Sequence, residues 1–176
     1  MHKQSSSRGD IGGPDQCISV YSHIDILKSN FIPVFRLLYS TPHYPAPTMK
    51  HLTPREAFEF LKKTPQAVFI DCRSEMEYLF VGHAVGALHI GWNDGPDWDI
   101  NPMFVKQIKK VASATRPIVL ICRSGHRSVD AGEELEKAGF TDIYNVLNGF
   151  EGDLDDNHHR NFRNGWRVEG LPWEQM

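Results

Sequence analysis

Pro117-Ile118-Val119-Leu120-Ile121-Cys122-Arg123-Ser124-Gly125-His126-Arg127-Ser128 is the stretch on which the reading of this chain turns. It opens as a short β-branched apolar run, the pattern of a strand buried on both faces of a parallel sheet. Beyond Cys122 the residues turn polar and lead into a helical stretch from Ser128 to Ala138. A buried strand therefore ends in a cysteine, and a helix begins just past it. The unpaired N–H groups and partial positive charge of a helix N-terminus lower a thiol pKa, and Arg123, His126 and Arg127 add cationic character. The same N–H groups suit an oxyanion held over the sulfur.

Outward from this unit the punctuation is regular. Thr53-Pro54-Arg55-Glu56 combines an N-cap threonine, a proline at the first helical position and a glutamate at N3, and Ala57, Phe58, Phe60 and Leu61 supply an apolar face. Ala67-Val68-Phe69-Ile70-Asp71-Cys72 predicts a second buried strand. Glu75 to Val81 predicts a short helix stopped by Gly82, and Ala87 to Ile90 a further strand. Phe104, Val105, Ile108 and Val111 lie at helical spacing within Met103 to Ala112. The helix after Cys122 closes at Gly139, and Ile143 to Leu147 predicts a last strand. Strands alternating with helices predict an α/β domain with a mostly parallel central sheet and helices on both faces. Ligands of such sheets bind beyond the carboxyl ends of the strands, where Cys122 falls.

The chain has 176 residues, enough for one domain with a sizeable core and an extension. A net charge of −3 gives no basic footprint for nucleic acid, and no apolar run reaches the ~20 residues of a membrane span. Any preference for anions must be local. Cys17, Cys72 and Cys122 lack the spacing of a disulfide framework or a zinc site, which fits a reducing, cytoplasmic setting. Residues 1–48, rich in Ser, Gly, Pro and His, read as a disordered or loosely packed extension of upstream or non-native sequence, with the domain starting at Met49. Asp10, Asp15 and Asp25 weaken a transit-peptide reading. From about residue 150 the chain reads as a polar tail anchored by Trp166 and Trp173.

Three segments in order resemble the single-domain form of the rhodanese-like sulfurtransferase family. They are Ile70-Asp71-Cys72-Arg73 with Glu77-Tyr78 and Gly82-His83-Ala84-Val85-Gly86-Ala87, the loop Cys122 to Ser128, and Gly139-Phe140 with Ile143-Tyr144-Asn145-Val146 and Asn148-Gly149. The resemblance implies a rhodanese-like fold over residues 49–176 and a Cys122 thiolate that takes the sulfane sulfur of thiosulfate or a related persulfide donor. A thiophilic acceptor, cyanide in assay and a thiol in cells, then removes it. It implies a substrate-binding loop of Arg123, Ser124, Gly125, His126, Arg127 and Ser128, with Asp71, Arg73, Glu77 and His83 as structural polar residues nearby. Small sulfur-containing anions and thiols, or a protein persulfide, are the implied partners; no cofactor, metal, nucleic acid or membrane is expected. Four residues separate Cys122 from Arg127, as in sulfurtransferases, whereas phosphatases and arsenate reductases of the same fold have five. Those enzymes, and a non-catalytic sulfur-relay or regulatory module, are the alternatives.

Several residues have plainer readings. Cys72, inside an apolar strand, reads as core filler, with a resolving-thiol role requiring a proximity that sequence does not show. Gly125 reads as a place where backbone nears the sulfur and a Cβ has no room. Arg123 divides evenly between anion binding and solvent, and His126 leans towards simply starting the helix. Ser124 and Ser128 read as loop or cap hydrogen bonders. His158-His159 beside Asp155-Asp156 read as exposed residues rather than a metal site. Trp92, Trp98, Trp166 and Trp173 read as packing anchors, with Trp92 or Trp98 a candidate wall of the entrance.

Overall fold

A computed structural model describes residues 49–176, so the expectation for residues 1–48 lies outside the described part. The strands are β1 (Lys50–Leu52), β2 (Val68–Asp71), β3 (His83–Ala84), β4 (Leu88–His89), β5 (Asn93–Asp94), β6 (Asp99–Ile100), β7 (Ile118–Ile121), β8 (Ile143–Val146) and β9 (Trp173–Glu174). The helices are α1 (Pro54–Lys63), α2 (Phe104–Val111) and α3 (Arg127–Lys137). Five strands form one sheet in the order β1-β8-β7-β2-β4, and every pairing in it is parallel. The fold is α/β, as the alternation predicts.

Alternation along each strand sends side chains to two cores. Ile118, Leu120 and Cys122 from the β7 line join Val68, Ile70 and Cys72 from the β2 line on one face, covered by Phe104 and Ile108 of α2 and Ala131 and Leu135 of α3. Val119, Ile121, Phe69 and Val146 point the other way, against Ala57 of α1, Phe150 and Trp166. Both central strands are buried at every position, which is why they lack a polar alternation.

Local chemistry sets the helix ends. Thr53 and Glu56 form the expected capping box at α1. α3 closes in a Schellman pair, with Phe140 N–H donating to the Leu135 carbonyl at 3.0 Å and Gly139 N–H to Glu136 at 2.9 Å. Gly139 takes φ +91°, which a side chain resists. The predicted Glu75–Val81 helix is mostly a π-helical turn, Glu77–Val81. Ser74 begins it: its Oγ accepts from Glu77 N–H at 3.3 Å, and Glu77 Oε2 accepts from the Ser74 hydroxyl at 3.0 Å. β8 stops at Val146, one residue short of expectation, because the chain turns at Asn148 with φ +61°.

The segment after residue 150 packs closely. Phe150, Trp166 and Leu171 are buried, Trp166 Nε1 donates to the Pro172 carbonyl at 2.9 Å, and β9 pairs antiparallel with β3. Trp166 thus anchors it in the core, whereas Trp173 stays partly exposed with the Arg167 guanidinium 4.2 Å from its ring centroid.

Candidate active site

The parallel register sets the site. Asp71 of β2 pairs with Ile121 of β7, so Cys72 and Cys122 follow at the carboxyl ends of neighbouring strands on the same face. Cys122 is almost fully buried, and its Sγ accepts from Gly125 N–H at 3.1 Å and from the Ser128 hydroxyl at 3.2 Å. Its pKa is lowered to about 5: the Cys72 thiol hydrogen contributes most, burial opposes, and the Ser128 hydroxyl with the N–H groups of Ser128 and Ser124 add to the lowering. Cys72 is pushed the other way, well above the usual thiol value, by its own burial and then by the neighbouring Cys122 sulfur. Its single S–H has two acceptors in reach, the Ile121 carbonyl at 3.2 Å and the Cys122 sulfur. The ionised sulfur is the stronger acceptor. Cys72 is therefore core filler by burial, and it also lies close enough for its thiol to lower the pKa of Cys122, the proximity that the sequence left open.

The loop's cations are organised by one carboxylate. Arg127 donates through both terminal nitrogens to Glu77, at 2.8 Å each, and Arg123 Nε lies 3.8 Å from the same carboxylate. Burial works against Glu77 ionisation, but Arg127 and Ser74 overcome it and hold the carboxyl at about 2. Arg127 is thus committed to Glu77 and binds the loop to the π-helical turn, while its charge also acts on Cys122. Arg123 is the more exposed of the two arginines. Trp98, at φ +55°, sets its ring 5.2 Å from the Arg127 guanidinium and lines a cavity of about 410 Å³ with Met76 and Pro96. Trp92 is elsewhere, in the core, edge-on to Phe104.

Gly125 needs to be glycine for a reason other than room at the sulfur. Its φ of +92° aims its N–H at Cys122, and a Cβ there would meet Asn148 N at 3.0 Å and the Val146 carbonyl at 3.2 Å. The following segment grips the loop from behind: Phe150 N–H donates to the Cys122 carbonyl at 2.8 Å and Glu151 N–H to the Arg123 carbonyl at 2.9 Å. Asp71 and Arg73 form a fully buried pair at 2.7 Å, and Arg73 stacks 4.2 Å from the Phe150 ring centroid. His83 stacks on Tyr78 and reaches Glu174 at 3.4 Å, joining the π-helical turn to β9. Ser124 Oγ and His126 Nδ1 lie 3.2 Å apart. His159 lies 4.0 Å from Asp155, and Asp156 pairs with Arg163.

Two residues at the site carried no role in the sequence reading. Asn145, buried in β8, accepts from the Ser128 hydroxyl at 2.6 Å through Oδ1, and its Nδ2 lies 3.1 Å from His51 Nδ1. An amide in an otherwise apolar strand was the available signal for Asn145. His51 sits on a short, exposed edge strand with no pattern of its own.

Fold and site together describe a parallel α/β domain that presents an acidic thiol at a strand end, beneath a loop leading into a helix. A profile of the rhodanese-like domain matches residues 53–155, and the chain belongs to that family. It is similar to Rv0390 from M. tuberculosis, whose crystal structure shares 38% identity at a TM-score of 0.66 over 72% of this chain and 98% of that one. It is 31% identical to the thiosulfate sulfurtransferase GlpE of Pseudomonas putida over 58% of this chain and 82% of that protein. An RP600 homolog of Rickettsia rickettsii is 27% identical over 72% of this chain and 98% of that protein. Among the described residues, no helix is long and apolar enough to cross a membrane.

Proposed function

We propose that this protein is a sulfurtransferase that carries sulfane sulfur on Cys122. The observation behind this reading is the donor set around one sulfur: Cys122 Sγ faces the N–H of Gly125 at 3.1 Å and the hydroxyl of Ser128 at 3.2 Å, which favour its thiolate and help lower its pKa to about 5. A thiolate attacking sulfur needs no general base.

In the first half-reaction the Cys122 thiolate attacks the outer sulfur of thiosulfate or a similar donor. The Cys122 S–S bond forms, the donor S–S bond breaks, and sulfite leaves with the bonding pair. The anionic persulfide left on the enzyme is held by the N–H groups and hydroxyl that held the thiolate. In the second, a thiol or cyanide attacks that outer sulfur, and the Cys122 thiolate returns as the leaving group. Arg123, more exposed than Arg127, is the cation available to steer an incoming anion. Arg127, tied to Glu77, keeps the loop in shape.

Support also comes from the likeness to a thiosulfate sulfurtransferase and from the four residues between Cys122 and Arg127. Parallel assays of thiosulfate with cyanide, of an aryl phosphate and of arsenate test the reading. Turnover confined to the sulfur reaction and lost in Cys122→Ser is expected. Phosphate release or arsenate reduction would transfer the assignment to those enzymes, and absence of all three activities to a binding module.

A further inference from the structure

The Ser128 hydroxyl is fully buried and has one hydrogen, but two acceptors compete for it. One is Cys122 Sγ at 3.2 Å, the other Asn145 Oδ1 at 2.6 Å. The way the amide faces decides the contest. With Oδ1 towards Ser128, as in the structure, the amide oxygen competes with the sulfur for that hydrogen and weakens its hold on the sulfur, while Nδ2 donates to the bare lone pair of His51 Nδ1 at 3.1 Å. Turned by half a revolution, the amide donates through Nδ2 to Ser128 Oγ, which frees the hydroxyl hydrogen for the sulfur. Oδ1 then needs a donor on its other side, and His51 Nδ1–H supplies it. A protonated imidazole carries hydrogen on both nitrogens and is compatible only with the turned amide.

We propose that His51 and Asn145 are positioning residues for Cys122: protonation of His51 turns the Asn145 amide, and the turned amide directs the Ser128 hydrogen onto the reacting sulfur. β1 places His51 in register with Asn145 on β8, so the path crosses a single strand pair. His51 is exposed and lines a cavity of about 310 Å³ with Ser124, Gly125, His126 and Asp153, so its ring exchanges protons with solvent while Ser128 and Asn145 stay buried.

His126 and Asp153 share the cavity of His51, and the other charged groups near it in sequence are engaged elsewhere. Lys50 on its own strand pairs with Asp142 and with the Tyr144 hydroxyl at the β8 side, and Glu136 of α3 accepts from Met49 N–H. His126 belongs to the loop, and Asp153 accepts from Asn164. Among the described residues, Asn145 is the hydrogen-bond partner of His51.

The consequence is a thiolate that resists acid. With hydrogen on both ring nitrogens of His51, the turned amide leaves the Ser128 hydrogen to the sulfur, and that added donor holds the thiolate where an uncoupled one begins to disappear.

This inference rests on Cys122 as the reacting thiolate but not on its sulfur donor. The test is the rate at which iodoacetamide alkylates Cys122 in the full chain, followed on the Cys122 peptide by mass spectrometry from about pH 4.5 to 8.5. In His51→Leu the rate at about pH 5 should fall roughly threefold to sixfold, the effect of losing part of one hydrogen bond to a charged acceptor. It should converge with the wild type near pH 8.

His51→Lys, whose ammonium only donates, should hold the amide turned and restore the rate, and a His51→Lys rate as low as that of His51→Leu would count against the proposal. In Asn145→Asp, a carboxylate of the same shape that only accepts withholds the Ser128 hydrogen, and the loss at about pH 6 should exceed tenfold. A wild-type profile in His51→Leu overturns the proposal, as does a wild-type profile in folded Asn145→Asp. His51 is exposed, so the first variant decides even where the second fails to fold. Alkylation uses no sulfur donor, so a protein that forms no persulfide would defeat the proposed function and leave this result standing.

Discussion

Replacing Cys72 by valine should move the reactivity of Cys122 along the pH axis without disturbing the fold. Valine fills nearly the same volume in the core but has no hydrogen to donate, so it removes the largest cause of the lowered Cys122 pKa. A hydrogen bond to a charged acceptor contributes about 1.5–3 kcal/mol, and a thiol is a weak donor, so the lower end applies. That corresponds to a rise of about 1 to 1.5 pH units. The Cys122 value of about 5 should then become about 6 to 6.5. At about pH 5.5 the thiolate fraction, and with it the alkylation rate at Cys122, should fall roughly threefold to eightfold. Above about pH 8 the two proteins should react alike, because both thiols are ionised. Cys72→Ser keeps a donor and should stay near the wild-type profile. Peptide-resolved alkylation across pH is the assay. Coincident profiles for Cys72→Val and the wild type would refute the claim that the buried thiol acts on Cys122, and would return Cys72 to core packing alone.

Glu77→Gln should destabilise the protein by about 2 kcal/mol, since it leaves Arg127 without its charged partner in a mostly buried setting. Glu77 titrates lower in the fold than its ordinary value of 4.5, at about 2, so its contribution is complete above that ordinary value and is lost as pH falls towards 2. The gap in urea midpoint between variant and wild type should accordingly be constant from about pH 8 to 5 and shrink below. Gly125→Ala must hold φ near +92° with a Cβ against the backbone of Val146 and Asn148. Strain of about 1–3 kcal/mol should turn its N–H off the sulfur, seen as at least a tenfold slower alkylation in a protein whose circular dichroism is unchanged. Arg73→Met should cost about 3–5 kcal/mol in chemical denaturation, because it strands the buried Asp71 carboxylate.

The order of strands and helices was legible because the central strands β2 and β7 are apolar but for Asp71, and helices α1 and α3 carry end signals, Thr53 with Glu56 and Gly139. Cys122 was legible for the same reason: a strand end followed by glycine and a helix start is a local pattern. What escaped depends on register. Cys72 faces Cys122 only because β2 and β7 pair in step, and 49 residues lie between the two cysteines in the chain. Asn145 and His51 meet through the β1 and β8 pairing, which no periodicity announces. The preference of Arg127 for Glu77 over an incoming anion follows from the inward face of the π-helical turn, and a helix predicted over Glu75–Val81 does not distinguish that turn from an ordinary one. Packing after residue 150 was legible in part: Trp166 read as an anchor, whereas the burial of Leu171 and the pairing of β9 with β3 lie in a segment that is otherwise polar.

The central claim is that Cys122 carries the sulfur. Intact mass after incubation with thiosulfate, and again after cyanide, tests it most directly. The predicted result is a gain of one sulfur atom that cyanide removes and that Cys122→Ser never acquires. A wild-type protein that gains no sulfur, or a Cys122→Ser protein that gains it as readily, would contradict the claim.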